Sequence, residues 1–228
     1  MKPLCLLVLL LVGAAFAPCR ADIPDAVKAL SDTSPSALKP LPAPWKSVDI
    51  GTVAVPGAAF SHPKSGAFRI TASGEDIFGR ADSFRFTSQP LHGSGEIAAQ
   101  VVSYERQDMW TKVGVMVRDS DAPGAKFADI VLTPDKGAEF QWRAGTDGET
   151  QTSEQTPAPT PYWVKLTRRG DVFVGWISPD GKTWTERGRT TIAMGPNVLA
   201  GICVTSHKND ALTQANLSSV TVTPAARP

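Results

Sequence analysis

The chain has 228 residues, with 23 Lys and Arg against 22 Asp and Glu, a formal net charge of +1. That balance excludes the strong basic field on which nucleic-acid and anionic-membrane binders depend. About 200 residues suffice to bury a core in one sandwich or barrel, so a single domain is expected.

At the start, Lys2 precedes an unbroken apolar run, residues 4–12, and then small residues to Ala17. This pattern fits a secretory signal peptide over residues 1–21, cut after Ala21, and its apolar core is too short to span a bilayer. The secreted or periplasmic space is therefore the expected location. Residues 16–18, Phe-Ala-Pro, fit a lipobox poorly, so lipid anchoring at Cys19 is not expected. Of the three cysteines, Cys5 and Cys19 leave with the signal or sit at its edge, and Cys203 stays unpaired. The fold must stand on its core, without disulfides.

Residues 22–44 hold Pro24, Pro35, Pro40, Pro42 and Pro44 and read as a linker or arm. The folded domain is expected over 45–223, with a tail over 224–228. Inside it, short runs with period-two alternation lie between clusters of Gly, Pro, Asp and Asn, the mark of antiparallel strands. They cover 67–73, 83–88, 96–104, 112–119, 128–133, 138–144, 162–168, 172–178, 198–206 and 215–223. Sustained helical periodicity is absent after the signal, and this number of short strands points to an all-β, two-sheet antiparallel sandwich. Turns are expected at 134–137 (PDKG), 168–171 (RRGD) and 178–181 (SPDG), and the Pro-containing stretch 146–161 reads as a long exposed loop.

Several blocks are more distinctive than composition. They are residues 73–86 (SGEDIFGRADSFRF), 91–101 (LHGSGEIAAQV), 110–118 (WTKVGVMVR), 178–184 (SPDGKTW) and 201–207 (GICVTSH). Together and in this order they resemble an uncharacterised bacterial family of concanavalin A-like, laminin G-like jelly rolls sometimes labelled "regulation of enolase protein 1". The resemblance implies a jelly-roll sandwich outside the cytoplasm, of a kind presumed to bind glycans. The chain departs from it at Thr111 and Val113, where alanines are more usual, and at residues 215–217, Ala-Asn-Leu, where a Phe-Asp-Asn block is usual.

Catalytic patterns are missing. Glycosidases on related folds carry carboxylates in alternation along one strand, and Glu96 and Glu105 lie nine residues apart near strand ends. His62, His92 and His207 lack partners at metal-ligand spacing. Cys203 lies in an apolar strand and reads as core, no nucleophile elbow occurs, and residues 93–98 (GSGEIA) lead into a strand rather than a helix.

Facing arguments yield the candidate site. If Val113, Val115, Val117, Ile130, Leu132, Phe140 and Trp142 point to the core, then Arg118, Asp129, Gln141 and Arg143 share the opposite face beside Gly114, with Gln100 as a further member. Such a face either binds saccharide through planar hydrogen-bonding groups or is a mutually satisfied polar network. Trp110 and Tyr104 flank an adjoining loop as stacking platforms or core caps, and His207 stands at the rim. Asp76 and Asp82 bracket Phe-Gly-Arg closely enough to hold calcium, or else cap turns. The expectation is a non-catalytic module for carbohydrate. The alternatives are a structural or interaction domain contacting a cell-envelope component and, behind it, a glycoside hydrolase.

Overall fold

The computed structural model describes residues 38–63 and 65–226. The expected signal peptide, Cys19 and the arm up to residue 37 lie outside the described residues. Fourteen strands are present among them: β1 Lys46–Ile50, β2 Ala58–His62, β3 Ala67–Ala72, β4 Phe84–His92, β5 Gly95–Tyr104, β6 Lys112–Arg118 and β7 Phe127–Thr133; then β8 Gly137–Arg143, β9 Gln151–Thr152, β10 Tyr162–Arg169, β11 Val172–Ser178, β12 Thr185–Thr191, β13 Asn197–Thr205 and β14 Thr213–Pro224. No helix among the described residues is long and apolar enough to cross a membrane.

The strands form two seven-stranded antiparallel sheets. One has the order β1-β4-β13-β6-β7-β8-β9 and the other β12-β11-β10-β5-β14-β3-β2. Alternation sorts their side chains as expected. Val113, Val115, Val117, Ile130, Leu132 and Phe140 from the first sheet meet Ile97, Ala99, Val101, Val164, Leu166 and Phe173 from the second in one buried core. Burying side chains of this size contributes about 1.5–3 kcal/mol each, and this core carries the domain in place of disulfides.

Ten strands fall where alternation places them, and four more appear. β12 reads Thr-Glu-Arg-Gly-Arg-Thr-Thr and offers no apolar residue to a periodicity search. Backbone pairing to β11 makes it a strand, and its charges suit a sheet edge. β1 and β2 are also edge strands or nearly so, and β9 is two residues long. β4 runs past the expected Ser88 through Pro90, because β1 pairs with it only as far as Ser88 and leaves the proline without a ladder partner on that side.

The outer face of the first sheet is not bare. After β3 the chain turns at Gly74, whose φ of +126° and 2.1 Å gap from a would-be Cβ to the Ser83 carbonyl admit only glycine. The segment 74–83 folds back over the sheet, and Ile77 packs with Phe84, Phe86, Met116, Phe127, Val131 and Cys203 in a second, smaller core. Gly114 lies within this face, where a Cβ would stand 2.1 Å from the Ile130 carbonyl. Gly114→Ala must therefore part β6 from β7, and we expect it to lower stability by about 1–2 kcal/mol in urea denaturation.

Candidate functional site

Register brings the predicted polar face into rows across β6, β7 and β8. Arg118, Phe127 and Arg143 form one row, and Met116, Asp129 and Gln141 the next. Gly114, Val131 and Glu139 form a third, with Lys112 beyond Gly114 on the same face of β6. The facing argument holds for these strands. It fails for Gln100, which lies in β5 of the other sheet, on its outer side, accepting a hydrogen bond from Ser218 at 3.0 Å.

The row of arginines is closed over. Arg118 and Arg143 are both 0% exposed, and both pair with Asp82, whose side chain is equally buried. Arg143 grips that carboxylate from Nη1 at 2.8 Å and Nη2 at 2.7 Å, while Arg118 Nη1 reaches it at 3.0 Å. The remaining guanidinium N–H groups gather loop carbonyls. Arg143 donates to Gly79, Pro123, Ala125 and Gly148, and Arg118 to Ser120 and Ala122. Burial pulls Arg118 below its usual pKa and Asp82 opposes this. Rings complete the enclosure: Phe127 lies 4.9 Å from the Arg143 guanidinium and Phe84 5.3 Å from that of Arg118.

These observations correct two expectations. Arg118 and Arg143 do not present donors to a ligand, because both are fully buried and donate to Asp82 and to carbonyls of the covering loops. Asp82 is not free to join Asp76 around calcium, since both its oxygens accept from guanidinium groups. Asp76 instead accepts from Lys112 Nζ at 2.7 Å and from the Ile77 backbone. Among the described residues, no three His, Cys, Asp or Glu side chains gather closely enough to hold a metal ion.

Beyond the arginine row a cavity of about 290 Å³ lies against the same face. Its walls include Trp110 and Phe78, the latter 42% exposed. Along one side, Lys112 Nζ donates to Asp76 and to the Ile77 carbonyl at 3.1 Å, while His207 sits between two carboxylates, with Nε2 3.3 Å from Asp76 and Nδ1 3.5 Å from Asp108. Glu139 and Gln141 also line the cavity, together with Thr152 of β9 and Gln155 shortly after it. Glu139 Oε2 accepts from Gln155 at 3.0 Å and Thr152 at 3.3 Å. Its Oε1, the Gln141 Oε1 and both oxygens of neighbouring Asp129 are buried without a hydrogen-bond partner.

Asp129 is fully enclosed beside Gln141 and does not line the cavity. Burial pushes its carboxyl well above the ordinary range, Lys112 partly offsets this, and Glu139 adds to it. Tyr104 lines a different depression, about 520 Å³, with Arg106, Pro134, Asp135 and Pro159. Burial, then Asp135, pushes its phenol up to about 12. Of the predicted residues, the structure thus gathers Trp110, His207, Asp76 and Gln141 into one cavity and adds Phe78, Lys112 and Glu139. Glu139 shares the alternation of Gln141 and Arg143, so its place was readable from the same pattern. Phe78 had a signal only in the distinctive block around it.

The hairpin at 178–181 takes the structural part expected of it. Asp180 Oδ1 accepts from the backbones of Lys182 and Thr183 at 2.8 Å and from Ser178 Oγ at 2.9 Å, and these bonds hold its carboxyl well below the usual range. Trp184 packs against Lys165, with Nζ 4.1 Å from the ring centroid.

No protein-family model matches the chain, and no curated protein matches it by sequence. Solved structures do. A functionally unknown protein from Saccharomyces cerevisiae aligns with a TM-score of 0.62 and 16% identity over 84% of this chain and 98% of its own. Lectin II from Ulex europaeus aligns with a TM-score of 0.53 and 10% identity over 82% of this chain and 95% of its own. The GH43 protein BlXynB from Bacillus licheniformis gives 0.55 and 15% identity over 70% of this chain, which spans only 33% of that larger protein. At these identities the likeness is one of fold, and the chain is an all-β, concanavalin A-like jelly-roll sandwich of two antiparallel sheets.

Proposed function

We propose that this protein is an exported, non-catalytic module that binds carbohydrate in the cavity between Trp110 and Phe78. One observation carries the reading: a cavity on the outer face of the first sheet has aromatic walls, Trp110 and Phe78, beside the polar side chains of Asp76, Gln155 and His207. A sugar ring can lay its apolar face on an aromatic side chain while its hydroxyl groups exchange hydrogen bonds with the polar side chains beside it. The lectin among the structural neighbours supports the reading, as do the sequence blocks that resemble the glycan-associated jelly-roll family. Export rests on the signal-like start of the chain.

The geometry argues against hydrolysis. Glycosidases need two carboxyl groups facing the scissile bond, about 5–9.5 Å apart. Of the carboxylates lining this cavity, Asp76 is committed to Lys112, which leaves Glu139 without a second free acid.

A glycan array followed by titration calorimetry tests the proposal. The parent should bind at least one class of saccharide, and Trp110→Ala should weaken that binding about tenfold, near the upper end of what an aromatic contact contributes. The melting temperature of the variant should stay close to the parent's. Failure of the parent to retain any glycan, with an envelope component binding instead, would replace this reading with that of an interaction domain.

A further inference from the structure

The cavity has a larger neighbour, and the two meet across one contact. The depression of about 520 Å³ has Lys136 in its wall, and Lys136 Nζ lies 5.8 Å from the ring centroid of Trp110, a wall of the cavity. The segment that follows β9 runs past both. Gln155 lines the cavity, while Pro157 and Pro159 line the depression. Between them Thr156 exchanges backbone hydrogen bonds with Ala138 at 2.7 and 3.0 Å, which fixes this segment against the start of β8. The two hollows are therefore consecutive along one wall.

Donors that solvent can reach stand open along this path. The indole N–H of Trp110, the ammonium of Lys136 and the phenol of Tyr104 make no hydrogen bond among the described residues, and all three side chains are partly or wholly exposed. Each is a donor carried on a largely apolar body. Burial and then Asp135 push the Tyr104 phenol up to about 12, so it keeps its proton at ordinary pH. Tyr104 and Lys136 line the depression and not the cavity, so a single sugar held against Trp110 leaves Tyr104 unused. The sizes point the same way: ligand sites begin at about 300 Å³, so the cavity falls just short of that range while the depression lies within it.

We propose that the cavity and the depression are two subsites of one carbohydrate site, which takes a linear oligosaccharide chain rather than a single terminal sugar. One unit lies in the cavity against Trp110, the chain crosses beside Lys136, and a following unit lies in the depression. There Lys136 and Tyr104 donate to its hydroxyl and ring oxygens. This rests on the carbohydrate reading above and adds to it the length of ligand that the site fits.

Titration calorimetry of the full protein separates the two levels. The probes are glucose, xylose, mannose, N-acetylglucosamine and galacturonic acid, each as the free sugar and as its linear four-unit chain. In a series that binds, the chain should bind about tenfold more tightly than the free sugar, a difference of about 1.4 kcal/mol and the scale of one or two further hydrogen bonds. Lys136→Ala combined with Tyr104→Phe should shrink that ratio to about twofold or less. Equal affinity for free sugar and chain would overturn the second subsite and leave the carbohydrate reading intact. A ratio that survives in the double variant would also overturn it, because the following unit would then lie elsewhere. Absence of binding by every probe and by a broad glycan array would overturn both readings. If the double variant does not fold, Lys136→Ala alone, at an exposed position, should still lower the ratio, and an unchanged ratio overturns the proposal.

Discussion

Asp82→Ala should cost about 3–5 kcal/mol of stability, the magnitude expected when one partner of a buried ion pair is removed. Against a domain stability of about 5–15 kcal/mol, that leaves a marginal fold. The reason lies in what the carboxylate holds. With Asp82 gone, two fully buried guanidinium groups would face each other's field without the carboxylate that both share. The loss should spread beyond stability. Arg143 donates to the carbonyls of Phe78 and Gly79, so the knot fixes the backbone that places the Phe78 wall of the cavity.

Thermal and urea denaturation followed by circular dichroism would measure the effect. Glu149→Ala is the matched control, because the Arg80–Glu149 pair is 72% and 63% exposed and such pairs contribute about 0–1 kcal/mol. Similar losses from the two substitutions would mean that the buried knot does not hold the loops.

The same knot shows what the sequence could and could not reveal. Alternation put Val113, Val115 and Val117 on the core side and Arg118, Asp129, Gln141 and Arg143 on the other, and the coordinates agree. Period two, however, reports only that a face points away from the core. It does not say whether water or another segment lies over that face, and here residues 74–83 and two further loops lie over the arginine row. Nor does it assign a strand to a sheet. Gln100 alternates like Gln141, yet its strand belongs to the opposite layer, because pairing partners come from chain topology rather than from local pattern. β12 was illegible for a different reason: a strand held by backbone bonds alone, without apolar side chains, has no periodicity to find.

Asp129 gives the second large effect, and its sign is opposite. The fully buried carboxyl has neither oxygen paired, and burial is the first cause that pushes its pKa well above the ordinary carboxylate range. Lys112 draws it back, whereas Glu139, Asp82 and Asp76 raise it further. The folded state therefore holds a proton that the unfolded chain releases. Wherever the native state binds more protons, stability falls as pH rises. For this group the decline begins as pH passes the ordinary carboxylate range and ends once the folded carboxyl has itself ionised. Below that window Asp129 imposes no such cost.

Asp129→Asn keeps the shape and cannot ionise. It should match the parent at acid pH and become increasingly the more stable of the two as pH rises, by about 1.4 kcal/mol for each pH unit crossed within that window. Urea denaturation of both proteins across a pH series would show the curves diverging upward from the acid end. Parallel curves, or a variant that is the less stable at every pH, would mean that Asp129 is paired in solution. If the divergence appears, a buried acid is being kept beside the cavity at a cost to the fold.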